Sequence, residues 1–382
     1  MSPKLLNAVG AALFSLSAGS TVAATSPAAA VADYRIVAYV AGWSMPESIP
    51  AAKLTHINFA FARIDGEGRV VFEDPRYAAA IASIVELRLR QPRLKVLVSV
   101  GGWEAEGFSD AALTSESRKR FARSAVDLLR RHRLDGIDLD WEYPGQGVAG
   151  INYRPEDREN FTRLLQDVRA QLDAASAADG RAGANRYLLT IASADRDYFA
   201  HTEMDRLHVH LDWINVMAYD FFNSLTATTG HHAGLYASEF AAPTDRNSDA
   251  SIRQHRAAGI PPGKLVLGVA FYGRRFEGVD PLQEGLHRPY ARYGGDHSYA
   301  ELANSYFRLK GFARHWDARA RAPWLWNAST RTFITYEDPQ SLRAKMQYVR
   351  SQGLGGVMFW ELSQDRNGEL LDTIRAGLQI GP

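Results

Sequence analysis

The chain has 382 residues, enough for two or three ordinary domains or for one large α/β barrel. Its 44 Lys and Arg stand against 43 Asp and Glu, a net charge of +1 without the basic excess of a nucleic-acid or anionic-membrane binder. It has no cysteine, which excludes disulfides, thiolate catalysis and thiolate-held zinc or iron–sulfur centres.

Residues 1–32 read as an export leader. Lys4 precedes an apolar stretch from Leu5 to about Leu16, and small residues follow, in which Val22-Ala23-Ala24 and Ala30-Val31-Ala32 both fit a small-x-small cleavage site. The apolar stretch, interrupted by Asn7 and Ser15, is too short to span a bilayer. Removal of the leader deletes Lys4 and balances the charges. The expectation is a secreted protein, extracellular or periplasmic, with no membrane attachment after cleavage and no nucleic-acid partner.

Eight strand-like segments follow. They are RIVAYVAGW (35–43), HINFAFARI (56–64), KVLVSVGG (95–102), GIDLDWEY (136–143), YLLTIASA (187–194), WINVMAYDF (213–221), LVLGVAFYGR (265–274) and GGVMFWEL (355–362). Helical patterns lie between them. Residues 115–133 space Phe121, Val126 and Leu129 along one face. Residues 155–178 open on Pro155-Glu156-Asp157, suited to a helix N-terminus, and 341–352 end at Gly353. Alternating strands and helices predict parallel strands with right-handed crossovers, and eight of them predict a (β/α)8 TIM barrel of the α/β class. The first strand lacks a GxGxxG turn, which disfavours a dinucleotide-binding sheet. Residues 276–335 are too long and too aromatic for a simple connection. They predict a small α+β insertion domain between strands seven and eight, dividing the barrel into 33–275 and 336–382. Trp324 and Trp326 either extend a cleft from this insertion or form its core.

The fourth strand carries DGIDLDWEYPG (135–145). In a strand, residues at i, i+2 and i+4 share a face. Asp138, Asp140 and Glu142 therefore aim into the barrel, and Ile137, Leu139 and Trp141 pack outward. Glu142 is nearest the C-terminal mouth, where barrel active sites lie. Asp135 has the opposite parity and is expected to be structural. Three like charges in a partly dry lumen cannot all ionise cheaply, so at least one holds its proton, as a general acid requires. Clustered carboxylates also bind Mg²⁺ or Ca²⁺, but the residues between these three are wrong for an EF-hand loop. His208, His210, His231 and His232 show no ligand spacing tied to other ligands and read as surface or loop residues.

DGIDLDWEYPG resembles the DxxDxDxE signature of glycoside hydrolase family 18, the chitinase family. SVGGW (99–103), MAYD (217–220) and FWEL (359–362) are similar to its further motifs on strands three, six and eight. FYGR (271–274) and the insertion before YEDPQSL (336–342) resemble the subfamily with an α+β insertion. This resemblance covers residues 34 to 375. It implies a retaining, substrate-assisted glycosidase. Glu142 is the acid and base, the substrate acetamido group is the nucleophile, Asp140 holds that group, Asp138 pairs with Asp140, and Tyr219 donates to the acetamido oxygen. It also implies that Trp360 floors the cleaved sugar, that Trp103 lies on the leaving-group side, and that Tyr39, Phe61, Tyr143, Met217, Asp220, Tyr272 and Arg274 line the cleft. The expected substrate is chitin or a chitooligosaccharide, the expected state a monomer, and the reaction calls for no metal or organic cofactor. A lectin on the same barrel, or an endo-β-N-acetylglucosaminidase acting on N-glycans, are the competing expectations; the presence of Glu142 favours an enzyme.

Overall fold

Every barrel strand expected from the sequence appears, ordered by the same period-2 alternation that identified it. The computed structural model describes residues 34–379, so the leader expected at 1–32 lies outside the described residues. The strands are β1 (Arg35–Ala41), β2 (His56–Ile64), the two-residue β3 (Val70–Val71), β4 (Lys95–Gly101), β5 (Gly136–Asp140), β6 (Leu188–Ser193) and β7 (Trp213–Val216). After them come β8 (Leu265–Ala270), β9 (Tyr272–Glu277), β10 (Arg292–Ser298), β11 (Ala313–Asp317), β12 (Ala322–Asn327), β13 (Thr332–Thr335) and β14 (Gly356–Trp360). The helices are α1 (Arg76–Glu86), α2 (Phe108–Leu113), α3 (Ser115–Arg131), α4 (Asp157–Ala178), α5 (Met204–Leu207), α6 (Ser248–Ala257), α7 (Tyr299–Asn304), α8 (Pro339–Ser351) and α9 (Glu369–Leu378). None of the described helices is long and apolar enough to cross a membrane.

Eight parallel strands run β1-β14-β8-β7-β6-β5-β4-β2, and a β1–β2 pairing closes the ring into a TIM barrel. Outward residues such as Val40, Phe59, Val98, Ile137, Leu139, Ile191, Leu267 and Val357 form the core beneath the helices. Inward residues Val37, Tyr39, Leu97, Trp213, Val266 and Met358 pack across the lumen. The helices are bounded by local chemistry. Thr114 and Ser117 form a capping box on α3, Asp338 caps α8 with Pro339 in its first turn, and Gly353 follows α8 in the left-handed conformation at φ +63°. Helix α4 starts at Asp157, with Pro155 left in the turn before it.

The insertion lies between β8 and β14. Its five-stranded antiparallel sheet has the order β10-β9-β13-β12-β11. The seventh strand, expected over 265–274, stops at Ala270: Phe271 bonds the Trp360 carbonyl, and Tyr272 switches to antiparallel pairing opposite Ser298. Tyr272 and Arg274 therefore belong to the inserted sheet. Trp324 and Trp326 share one face of β12 and bury against Phe276 and Phe333, so they are the core of the insertion and not a cleft wall.

Candidate active site

The site grows from the end of β5. Asp138 is fully buried, and both of its oxygens are taken. Oδ2 accepts from Tyr39 Oη and Ser99 Oγ, each at 2.7 Å; Oδ1 accepts from Thr190 Oγ1 at 2.5 Å and Asn215 Nδ2 at 3.2 Å. Burial pushes its carboxyl up, against these four donors. Asp140 is also buried, yet its Oδ1 has no hydrogen-bond partner among the described residues. No hydrogen bond joins Asp138 to Asp140 here; the donors from neighbouring strands already saturate Asp138. Burial, then the charges of Glu142 and Asp138, push the Asp140 carboxyl well above the carboxylate range.

The ladder ends at Asp140, so Glu142 stands two residues beyond the strand rather than within it as expected. Parity still carries it to the cleft side: Trp141 is buried on the outer face, stacked on Phe108 at 5.2 Å. Glu142 is half-buried. Burial pushes its carboxyl up to about 7; the Tyr143 hydroxyl beside it opposes this, and the Asp220 charge adds to it. The loop after Glu142 is pinned by the buried Asp157, which accepts from Gly145 N and Arg154 N. Close backbone approach on the neighbouring strand requires glycine. At Gly101, φ +120°, a Cβ would lie 2.0 Å from the Asp140 carbonyl oxygen, and at Gly102 a Cβ would strike the Phe61 ring.

Opposite Glu142, the chain past β7 supplies Met217, Tyr219 and Asp220. The nearest partner of the Tyr219 hydroxyl is Met358 Sδ at 3.8 Å, and the ring is edge-on to Tyr272. Burial, then Asp140, Asp220, Glu142 and Asp138, push the Tyr219 hydroxyl up, so it stays a donor. Asp220 adopts φ +61° and accepts from Tyr272 Oη and Arg274 Nε, both at 2.6 Å. Burial pushes Asp220 up, but His232 and Arg274 overcome it and hold the carboxyl well below its usual range.

Aromatic rings form one wall. Phe61 stacks on Trp360 at 5.7 Å and 16°, Tyr39 meets Trp360 at 5.6 Å, and the exposed Trp43 stacks on Phe61 at 6.0 Å. Trp103, 45% exposed, lies edge-on to Tyr143 on the Glu142 side. Tyr39 is deeper than its expected place on the cleft wall, bonded to Asp138 beneath the floor. Met217 packs against the lumen cluster.

Several neighbours escaped the sequence reading. Ser99, Thr190 and Asn215 carry the inward parity of their strands and could have been found that way. Trp43, Arg63 and Tyr198 follow strands or end them and carry no local signal. His231 and His232, expected at the surface or in a loop, do lie in a loop but are not at the surface: both are buried, His231 3.2 Å from Asp317 and His232 3.5 Å from Asp220, because the long β7–α6 loop folds back beneath the inserted sheet. His208 and His210 are half-buried in a short 3-10 turn. Asp135, of opposite parity, is buried at the other end of the barrel between Arg88 and Arg181.

Residues 35–365 match the family described as Glycosyl hydrolases family 18. The chain is 37% identical to Chitinase A1 of Niallia circulans, over 94% of this chain and 60% of that protein, so it spans about three fifths of that relative's length. It is 30% identical to Chitinase B of Serratia marcescens, over 85% of this chain and 76% of that protein. Among solved structures, a family 18 N-acetylglucosaminidase from Paenibacillus barengoltzii superposes with a TM-score of 0.84 at 40% identity, covering 90% of this chain and all of that one. The carboxylate ladder, the closed barrel and these likenesses agree: the chain belongs to glycosyl hydrolase family 18.

Proposed function

We propose that the protein is a secreted chitinase that hydrolyses β-1,4 bonds between N-acetylglucosamine units with retention of anomeric configuration. The observation that carries this is Glu142: a half-buried carboxyl beside Asp140 and in front of an aromatic wall, pushed up to about 7 by burial. Glu142 gives its proton to the glycosidic oxygen. The acetamido carbonyl oxygen of the substrate bonds to the anomeric carbon as the glycosidic C–O bond breaks and the protonated sugar departs, while Asp140 holds the acetamido N–H and Tyr219 donates to its oxygen. Glu142, now a base, takes a proton from the water that opens the ring. Asp138, held by four donors, is the fixed negative end beneath Asp140. The flat faces of Trp360 and Phe61 suit the C–H face of a pyranose, and Asp220, Tyr272 and Arg274 supply the polar wall.

Hydrolysis of a chitobiose fluorogenic glycoside, with the β-anomer formed first by NMR and competitive inhibition by N-acetylglucosamine thiazoline, is the expected result. Indifference to the thiazoline overturns acetamido participation. Cleavage of a high-mannose glycoprotein instead identifies an endo-β-N-acetylglucosaminidase, and sugar binding without turnover a lectin. The likeness to the Paenibacillus enzyme favours a second reading, release of single N-acetylglucosamine units. Product length from chitohexaose separates the two: monosaccharide only, or chitobiose and longer fragments.

A further inference from the structure

Asp138, Asp140 and Glu142 crowd one end of the barrel, and the fourth acid there, Asp220, has its own cation in Arg274. A second cation stands on another side of the site. Arg63, near the end of β2, is half-buried. Its Nη1 donates to the Gly101 carbonyl at 2.5 Å, and its guanidinium carbon lies 5.6 Å from the Phe61 ring centre. Both anchors lead to the site. Gly101 is the ladder partner of Asp140, and Phe61 stacks on Trp360. Among the described residues no carboxylate stands within ion-pair distance of Arg63, while Asp140 Oδ1 is buried and unpartnered.

The ionisable groups that act on or feel Asp140 come from every surrounding element. They are the acids Asp138 and Glu142 from β5 and its continuation, and the hydroxyls of Tyr39, Tyr143, Tyr198 and Tyr219 from β1 and the turns past β5, β6 and β7, with Arg63 from β2. Burial keeps the four hydroxyls neutral. The acids drive Asp140 toward protonation, and Arg63 alone among these groups works against them.

We propose that Arg63 is the counter-cation of the Asp138–Asp140–Glu142 cluster: a positioning residue, fixed by Gly101 and Phe61, whose charge favours the ionised form of Asp140 against its two acidic neighbours. It acts through Asp140 and needs no contact with the sugar. The kinetic arm of its test rests on the hydrolase reading above; the titration arm does not.

The test is ¹³C-carboxyl titration of aspartate-labelled full-length protein, with the Asp140 resonance assigned by Asp140→Asn. Arg63→Met keeps the apolar stem over Phe61 and removes the charge; Arg63→Lys keeps the charge. In Arg63→Met, Asp140 titrates about half a unit to one unit higher than in wild type, and in Arg63→Lys close to wild type. The acid limb of kcat/KM for chitotriose moves upward by the same amount in Arg63→Met, because ionised Asp140 is reached only at higher pH. Superimposable Asp140 titrations in wild type and Arg63→Met overturn the assignment. Wild-type protein inert toward chitotriose overturns the hydrolase reading and leaves the titration readable. If Arg63→Met fails to fold, Arg63→Gln, which can still donate to Gly101, carries the same titration.

Discussion

At the scale of single residues, the site sets burial against charge. In the proposed reaction Glu142 acts as an acid, and burial pushes its carboxyl up to about 7. Glu142→Gln removes the acid without changing its shape; kcat on a chitobiose glycoside is expected to fall by about 10³-fold with sugar binding retained, measured by steady-state kinetics and calorimetry. In the wild type, chitobioside turnover is expected to fall as pH rises through about 7, measured as a pH–rate profile. Stability follows from the same shift. A carboxyl raised in the folded state binds its proton more tightly there than in the unfolded chain, so its stabilisation is full at low pH and is lost as pH rises through about 7. Glu142→Gln escapes that loss. Its Tm is expected to exceed wild type at pH 8, and the gap to narrow toward pH 4.5, by scanning calorimetry in matched buffers. A gap to wild type no wider at pH 8 than at pH 4.5 counts against burial as the cause of the raised Glu142 carboxyl.

At the scale of elements, the end of each strand decides what reaches the cleft. Trp43, just past β1, continues the ring stack from Trp360 through Phe61 toward solvent. Trp43→Ala is expected to raise KM for chitohexaose by about three- to tenfold and to leave chitobioside turnover nearly unchanged, since stacking of this kind is worth about 1 kcal/mol. Equal losses on both substrates would place Trp43 in the scaffold instead. Helix α8 rests on a different device. Lys345 is fully buried and paired with Glu337, which also accepts from Ser341. Glu337→Gln strands a buried ammonium and is expected to cost about 3–5 kcal/mol in urea unfolding, whereas Glu337→Leu with Lys345→Met together cost far less. A double mutant as damaged as the single one would show that packing, not the uncompensated charge, is at stake.

At the scale of the whole molecule, closure of the ring separates a protected barrel from a more exposed insertion. Barrel strands β5 to β8 are buried along almost their whole length, while the edge strands β10 and β11 of the inserted sheet are half-buried or exposed. Amide exchange by mass spectrometry is expected to open β10 and β11 well before β5 and β7, because fewer buried contacts oppose their local opening. The barrel class, the parity of Ile137, Leu139 and Trp141 and the end of α8 at Gly353 were legible in the sequence, since alternation and helix termination are decided by neighbours along the chain. The end of the seventh strand was not: Tyr272 is as β-prone as Val269, and only a partner, Ser298, pulls it into another sheet. Nor could residue order show His232 beneath Asp220, or decide between core and cleft for Trp324. The sequence by itself determined which residue types lie on which face, a consequence of local geometry. Only the tertiary structure decided which of them meet, placing Arg63 beside the ladder partner of Asp140 and four donors on Asp138, because those distances exist only once distant strands share one ring.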